Sequence, residues 1–107
     1  MAKRLIWTNQ YYKALRSLAL CVGSVYSKGT IKQFKENAIY KCGLLQQNPL
    51  MGSIEHSLYG LKYEYRYILV KPYFKIVYRI ENEHIYIITI WDMRRDPRQM
   101  SIYLTTQ

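Results

Sequence analysis

The residues of this sequence that could do chemistry are mainly arginines, and most of them lie in its second half. Three follow a nearly apolar run that ends at Trp91, and two stand in earlier runs of alternating polar and apolar residues. A guanidinium group offers paired N–H donors that match phosphate and carboxylate oxygens. The sequence therefore predicts a site for an anion or for a charged target, built from Arg66, Arg79, Arg94, Arg95 and Arg98.

Other kinds of catalytic site are poorly supported. The two histidines, His56 and His84, are far apart, and no acidic cluster has the spacing of metal ligands. Ser53, His56 and Asp92 could be drawn as a nucleophilic trio, but neither a nucleophile elbow nor a glycine-rich oxyanion loop accompanies them. We predict no metal site and no cofactor.

The two cysteines, Cys21 and Cys42, are twenty-one positions apart. No CxxC pair and no neighbouring histidine suggests a zinc site, and two cysteines do not make a disulfide framework. We expect both to be buried free thiols in a reducing compartment. No secretory signal is visible, and no apolar run approaches the ~18 residues of a membrane span, so we expect a cytoplasmic protein.

Length and charge limit the remaining possibilities. The chain has 107 residues, half of them hydrophobic, which fits one domain over residues 1–107 with one core. Sixteen Lys and Arg against seven Asp and Glu give a net charge of +9. A charge of this size favours a partner rich in negative charge: nucleic acid, an acidic protein segment or an anionic membrane surface.

The first half of the chain has helical periodicity. A short strand at residues 5–7 is followed by the N-cap types Thr8 and Asn9, and apolar residues recur at helical spacing over residues 9–26. A second helix is predicted to begin at Thr30 and to stop before Pro49. Its apolar stripe consists of Ile31, Phe34, Ala38, Cys42 and Leu45. The two helices form a hairpin with one apolar seam.

The second half alternates with a period of two, which predicts three consecutive strands around residues 63–70, 74–80 and 85–91. The expected fold is α+β: an N-terminal strand and a helical hairpin on one face of a twisted antiparallel sheet, in the order β-α-α-β-β-β. We expect residues 50–60 to be a loop, residues 92–98 to be a polar loop, and a short tail to follow. Alternation predicts an open second face that carries Arg66, Lys75 and Arg79.

Four segments in this order resemble the RelE/ParE family of toxins of type II toxin–antitoxin systems. They are Asn48-Pro49-Leu50-Met51-Gly52, Tyr65-Arg66-Tyr67-Ile68-Leu69-Val70, Lys75-Ile76-Val77-Tyr78-Arg79-Ile80 and Ile90-Trp91-Asp92-Met93-Arg94-Arg95-Asp96-Pro97. The resemblance covers nearly the whole chain. It implies a small basic bacterial toxin that a tightly bound, acidic antitoxin holds inactive. The expected assembly is a toxin homodimer or a toxin–antitoxin hetero-oligomer.

The family divides by mechanism. RelE-like members cut mRNA on the ribosome, and ParE-like members poison DNA gyrase. If this chain is RelE-like, the resemblance implies catalytic roles for Arg66, Lys75, Arg94 and Arg95. The chain has Ile68 where such nucleases have a second lysine, and Met100 at the usual position of a C-terminal tyrosine. Tyr103 is the nearest substitute, three residues further on.

Losing a cation and an acid/base group removes much of the chemistry of metal-independent RNA cleavage. We therefore favour a ParE-like gyrase poison, with a RelE-like endoribonuclease as the alternative, so whether the chain is an enzyme stays open. A third possibility is a noncatalytic module that binds nucleic acid or protein.

Overall fold

A computed structural model describes residues 2–20, 28–71 and 73–105. In chain order the elements are β1 (Arg4–Trp7), α1 (Asn9–Leu20), α2 (Lys28–Leu45), β2 (Ser53–Ile54), β3 (Arg66–Val70), β4 (Phe74–Glu81), β5 (His84–Asp92) and α3 (Arg98–Thr105). Single 3₁₀ turns at Pro49–Met51 and His56–Leu58 flank β2. None of the helices in the described ranges is long and apolar enough to cross a membrane.

Both helices of the predicted hairpin are present. Thr8 caps α1, because its hydroxyl accepts a hydrogen bond from the backbone N–H of Tyr11 at 3.2 Å. The predicted continuation of this helix to residue 26, with Cys21 in it, lies outside the described residues. Helix α2 begins at Lys28, two residues before the predicted start at Thr30. Its predicted apolar stripe is buried throughout.

The five strands form one sheet in the order β1-β5-β4-β3-β2. The prediction of an antiparallel sheet holds for the pairs from β2 to β5, but β1 runs parallel to β5. The N-terminal strand is therefore an edge strand of a mixed sheet and does not pack on a face. The helical hairpin follows β1 in the chain and connects it to the later strands. A connection of this length can bring two strands side by side in parallel, whereas a tight turn joins antiparallel strands.

The larger core lies between the helical hairpin and one face of the sheet. Tyr11 and Ala14 of α1 and the stripe of α2 pack there against alternate residues of β3, β4 and β5. Those residues are Ile68, Val70, Phe74, Ile76, Tyr78, Ile85, Ile87 and Ile90. A register shift between Val77 and Tyr78 places one extra residue in β5. This strand is apolar along almost its whole length because its two faces pack in two cores, with Ile85, Ile87 and Ile90 in one and Trp91 in the other.

The opposite face of the sheet, which we call the second face, is partly covered. Leu58 and Met100 pack there on Val77 and Trp91 in a smaller core. The expectation that this face stays open was wrong in that region. The predicted polar loop is present over residues 93–97, but the predicted tail is helical, because residues 98–105 form α3. Met100 is fully buried and holds this helix against the sheet.

Candidate functional site

Arg66 lies on the face of the sheet that carries the helices. Its Cα partner in β4 is Tyr78, and directly paired residues share a face. The prediction that Arg66 lies with Lys75 and Arg79 on the second face was therefore wrong. The alternation of β3 is set by Ile68 and Val70, which are both buried under the helices and fix Arg66 on the same side.

The guanidinium of Arg66 has a local structural partner. Its Nη1 donates to the carbonyl oxygen of Gly52 at 2.9 Å, and its Nη2 lies 3.3 Å from the exposed carboxylate of Glu64. The Tyr78 hydroxyl accepts from the N–H of Gly52 at 3.0 Å and donates to the carbonyl of Pro49 at 2.7 Å. Arg66 thus helps to fasten the segment before β2 to the sheet.

Lys75 and Arg79 do lie on the second face, and both are held by their neighbours. Lys75 forms an ion pair with Glu55, and its Nζ stands 4.5 Å from the ring centroid of Tyr67. The two charged side chains of this pair are 13% and 6% exposed. Glu55 was not predicted, because its burial depends on the partner that β4 supplies and no local pattern marks it.

The guanidinium of Arg79 is placed between two tyrosine rings. Its Cζ is 4.0 Å from the ring centroid of Tyr63 and 4.2 Å from that of Tyr86. Glu81 accepts a hydrogen bond from Nη1 at 2.6 Å. Burial raises the pKa of the nearby Tyr65, an effect that Arg79 opposes, so this phenol is protonated at neutral pH.

Two of the C-terminal arginines are paired with aspartates two residues earlier. Arg94 binds the carboxylate of Asp92 through Nε at 3.0 Å and Nη2 at 2.7 Å, and its Cζ stands 3.9 Å from the ring centroid of Tyr73. Arg98 makes a similar contact with Asp96, and this exposed pair lowers the pKa of the aspartate. Both guanidinium groups are thus engaged by carboxylates of the same chain.

Arg95 differs from its neighbours. Its Cζ lies 4.1 Å from the ring of Trp91, and no carboxylate contacts it within the described parts of the chain. The predicted arginines therefore do not converge on one surface. Arg66 pairs with Tyr78 of β4, whereas Asp92, the partner of Arg94, pairs with Phe74 of the same strand. These two positions are four residues, or about 13 Å, apart along β4.

Most of the unpaired positive charge in the described residues is on the helical hairpin. Six cations of α1 and α2 have no carboxylate partner among the residues that the structure describes, although Lys41 donates to the carbonyl of Leu69. They are Lys13, Arg16, Lys28, Lys32, Lys35 and Lys41. Lys28, Lys32 and Lys35 follow one another at helical spacing and are all exposed, so they form a basic stripe along α2.

The basic stripe leads into an apolar groove between the two helices. The groove has a volume of about 390 Å³ and is lined by Trp7, Tyr11, Tyr12, Leu15, Lys35 and Ile39. Tyr12 is 48% exposed and Ile39 is 67% exposed, so the groove presents apolar surface that a partner could cover. We call this feature the hairpin groove.

No group of three His, Cys, Asp or Glu side chains in the described ranges is arranged to hold a metal ion. Cys42 is a buried free thiol, as predicted. Burial raises its pKa from 9.0 to about 12, so the thiol is not a nucleophile at neutral pH. Ile68 and Met100, the two departures from the nuclease pattern, are packed in the two cores.

Comparison with known structures gives the same fold. A chain of the chromosomal ParDE toxin–antitoxin system from P. aeruginosa superposes with a TM-score of 0.62, at 16% identity, over 83% of this chain and 94% of that chain. The E. coli toxin RelE, in the free state and with two arginine-to-alanine substitutions, superposes with a TM-score of 0.56, at 16% identity, over the full length of both chains.

Comparison at the sequence level is more specific. No curated protein sequence matches the chain. The profile of the family described as the ParE toxin of the type II toxin–antitoxin system, parDE, matches residues 5–97. This match runs from β1 to the residue before α3, and so the chain belongs to the ParE toxin family of type II toxin–antitoxin systems.

Proposed function

We propose that this toxin inhibits growth by acting on DNA gyrase rather than by cutting mRNA. The observation that carries the proposal is that most of the cations that RNA cleavage would use are already paired with carboxylates. Arg66, Lys75 and Arg94 each form an ion pair with a carboxylate of the same chain. A cation that is already neutralised stabilises the developing charge on a phosphate less effectively.

The positions of the missing nuclease groups support the same proposal. Ile68 and Met100 are 5% and 0% exposed, so neither position faces a substrate. Tyr103 lies against Trp91, with ring centroids 6.2 Å apart, and is half-buried. The RelE-like alternative rests on the similarity of fold to RelE, which is compatible with more than one activity.

A direct test uses purified toxin, gyrase, supercoiled plasmid and ATP. If gyrase is the target, linear plasmid should accumulate with toxin concentration after the reaction is stopped with detergent and protease. The toxin should leave the mRNA intact in a reconstituted translation reaction. Cut mRNA in that reaction, together with unchanged plasmid in the gyrase reaction, would refute the proposal.

The gyrase assay can also distinguish the roles of the arginines that we predicted for target binding. Arg95 is the best position to substitute, because removing its side chain leaves no carboxylate unpaired among the described residues. Arg94→Ala, in contrast, leaves the carboxylate of Asp92, a residue only 8% exposed, without its guanidinium partner. We expect Arg95→Ala to weaken toxin action while the fold is kept, and Arg94→Ala to lower stability as well.

We also propose that the hairpin groove is where the cognate antitoxin binds. The groove offers exposed apolar side chains at the end near Trp7 and Ile39, and the basic stripe of α2 continues from it. An acidic segment that is disordered alone could fold on this surface, with charge steering the encounter and apolar anchors supplying affinity. A second copy of a chain of charge +9 would be repelled from the same stripe.

Charge reversal in the groove tests this assignment. Lys35→Glu should lower antitoxin affinity by about tenfold or more, because it places a like charge against the acidic segment. Lys71→Glu is the matched control, since Lys71 is also exposed but lies in the turn before β4, and it should change the affinity less than threefold. Equal effects of the two variants in titration calorimetry would count against the groove.

A further inference from the structure

The outer side of β1 is an open edge of the sheet. Among the described strands β1 pairs with β5 alone, so its other side has no neighbouring strand. The backbone N–H groups of Arg4 and Thr8 donate to carbonyl oxygens on the β5 side, at 2.8 and 3.2 Å. Successive residues of a strand direct their backbone groups to opposite sides. The N–H and C=O groups of Leu5 and Trp7 therefore point outward from the sheet.

These outward groups have no hydrogen-bond partner within residues 2–20, 28–71 and 73–105. The preceding outward residue, Lys3, is paired: its N–H donates to the carbonyl of Gln46 at 3.0 Å, and its C=O accepts from Gln46 Nε2 at 3.0 Å. The turn after α2 thus closes the edge at Lys3 and leaves it open from Leu5 to Trp7. A segment in extended conformation satisfies such an edge by adding a strand to the sheet.

The side chains of β1 indicate what kind of strand fits this edge. Leu5 and Trp7 pack against the larger core on the side of the helices. Arg4 is adjacent to Leu5 and therefore points to the second face, where it is exposed and has no carboxylate partner among the described residues. A neighbouring strand would meet apolar side chains on one face and a cation on the other. This favours a segment in which apolar and acidic residues alternate.

The open edge is continuous with the hairpin groove. Trp7 is the last residue of β1 and also lines the groove, so one extended chain can occupy both. We propose that the antitoxin segment bound in the hairpin groove continues past Trp7 as an added strand on the outer edge of β1. The inference rests on the antitoxin site proposed above and extends it to the backbone of the sheet.

Charge favours the antitoxin over a second copy of the toxin at this edge. A second copy would bring its own Arg4 and a further net charge of +9. Cations on a short edge strand are a common protection against pairing between copies of one protein. The same cation attracts an acidic segment.

Hydrogen exchange of backbone amides, measured by nuclear magnetic resonance, tests the inference on the unmodified toxin. The toxin is compared alone and in the complex that co-purifies with its co-expressed antitoxin. In the free toxin the outward amides of Leu5 and Trp7 should exchange quickly, because water reaches them, whereas β5 protects the amide of Ile6. In the complex we expect exchange at Leu5 and Trp7 to slow by about tenfold or more.

The amide of Leu69 is the matched control. Leu69 lies in β3 beyond the end of β2, and its carbonyl oxygen accepts from the side chain of Lys41 and not from a strand. Its N–H points to the same open side, because both backbone groups of a residue in an antiparallel pair do so. Its exchange should change less than threefold on binding of the antitoxin.

Two variants isolate the contribution of one outward N–H. Leu5→Pro removes this donor and leaves the bonds of β1 to β5, and an edge strand tolerates the change where the N–H faces solvent. Leu5→Ala loses the same side chain but keeps the N–H. We expect Leu5→Pro to bind the antitoxin about fivefold or more weakly than Leu5→Ala in titration calorimetry.

Several results would overturn the inference. Unchanged exchange at Leu5 and Trp7, while the signals of Tyr12 and Ile39 shift, would leave the groove assignment standing without the added strand. Slower exchange at Leu69 alone would place the strand at the opposite edge. Protection that rises with the concentration of toxin alone would assign the edge to a second copy. Equal affinities of Leu5→Pro and Leu5→Ala would also contradict it, and the exchange measurement decides the matter even if Leu5→Pro fails to fold.

Discussion

Cys42 shows how burial sets the reactivity of a single residue in this protein. The thiol lies in the core between the helices and the sheet, and loss of water raises its pKa to about 12. Tyr11, in the same core, has its phenol pKa raised by burial and by the neighbouring thiol. Both groups therefore stay neutral in the folded protein under conditions in which the unfolded chain would ionise them.

The raised thiol pKa predicts an alkaline loss of stability. Between about pH 9 and pH 12 the native state keeps a proton that the unfolded state releases, so the free energy of unfolding falls as pH rises. One such group contributes a slope of up to ~1.4 kcal/mol per pH unit. Urea unfolding from pH 8 to pH 11 should show a shallower fall for Cys42→Ala than for the wild type.

Only the slopes are compared in that experiment, because Cys42→Ala also leaves a small cavity that lowers stability at every pH. Parallel curves for the two proteins would show that Cys42 does not carry the effect.

At the scale of elements, a group of hydrogen bonds made by Tyr78 and Arg66, which we call the clip, joins the segment around Gly52 to the middle of the sheet. Tyr78 binds the backbone of Pro49 and Gly52, and Arg66 binds Gly52 from β3. A Cβ at Gly52 would stand 2.5 Å from the Tyr78 hydroxyl oxygen and 2.6 Å from the carbonyl oxygen of Tyr67. Only glycine fits this position without a shift of the backbone.

Gly52→Ala should therefore be strongly destabilising. Overpacking of this kind costs about 1 to 3 kcal/mol, which lowers the melting temperature of a domain this size by roughly 5 °C or more. Gly43→Ala is the matched control, because a Cβ there meets nothing within 4 Å and Gly43 lies inside α2. It should stabilise the protein by about 0.5 to 1 kcal/mol. Equal melting temperatures for the two variants would refute the clip.

The sequence allowed the helical hairpin and three consecutive strands to be predicted, because their signals are local. The stripe of α2 has helical spacing, and Phe74, Ile76, Tyr78 and Ile80 recur at every second position of β4. The side of the sheet on which Arg66 lies could not be predicted from such local patterns, because it depends on the register between β3 and β4. Helix α3 was missed because, among its residues 98–104, for which burial is described, only Met100 is fully buried.

At the scale of the whole molecule, charge is divided between two regions. The described residues between 55 and 98 contain five ion pairs, which use five of the seven acidic residues of the chain. The helical hairpin has six cations and one acid, Glu36, in its described residues. The strongest field is thus on the helices, where we place the antitoxin, and not on the sheet, where RNA cleavage would require it.

This distribution leads to the central claim that gyrase is the target, which cells can test by the order in which their functions fail. After induction of the toxin without its antitoxin, incorporation of labelled thymidine and methionine is followed together with breaks in chromosomal DNA. We predict DNA breaks and a fall in thymidine incorporation while methionine incorporation continues, followed by filamentation. An immediate stop of methionine incorporation with cut mRNA and intact DNA would contradict the claim.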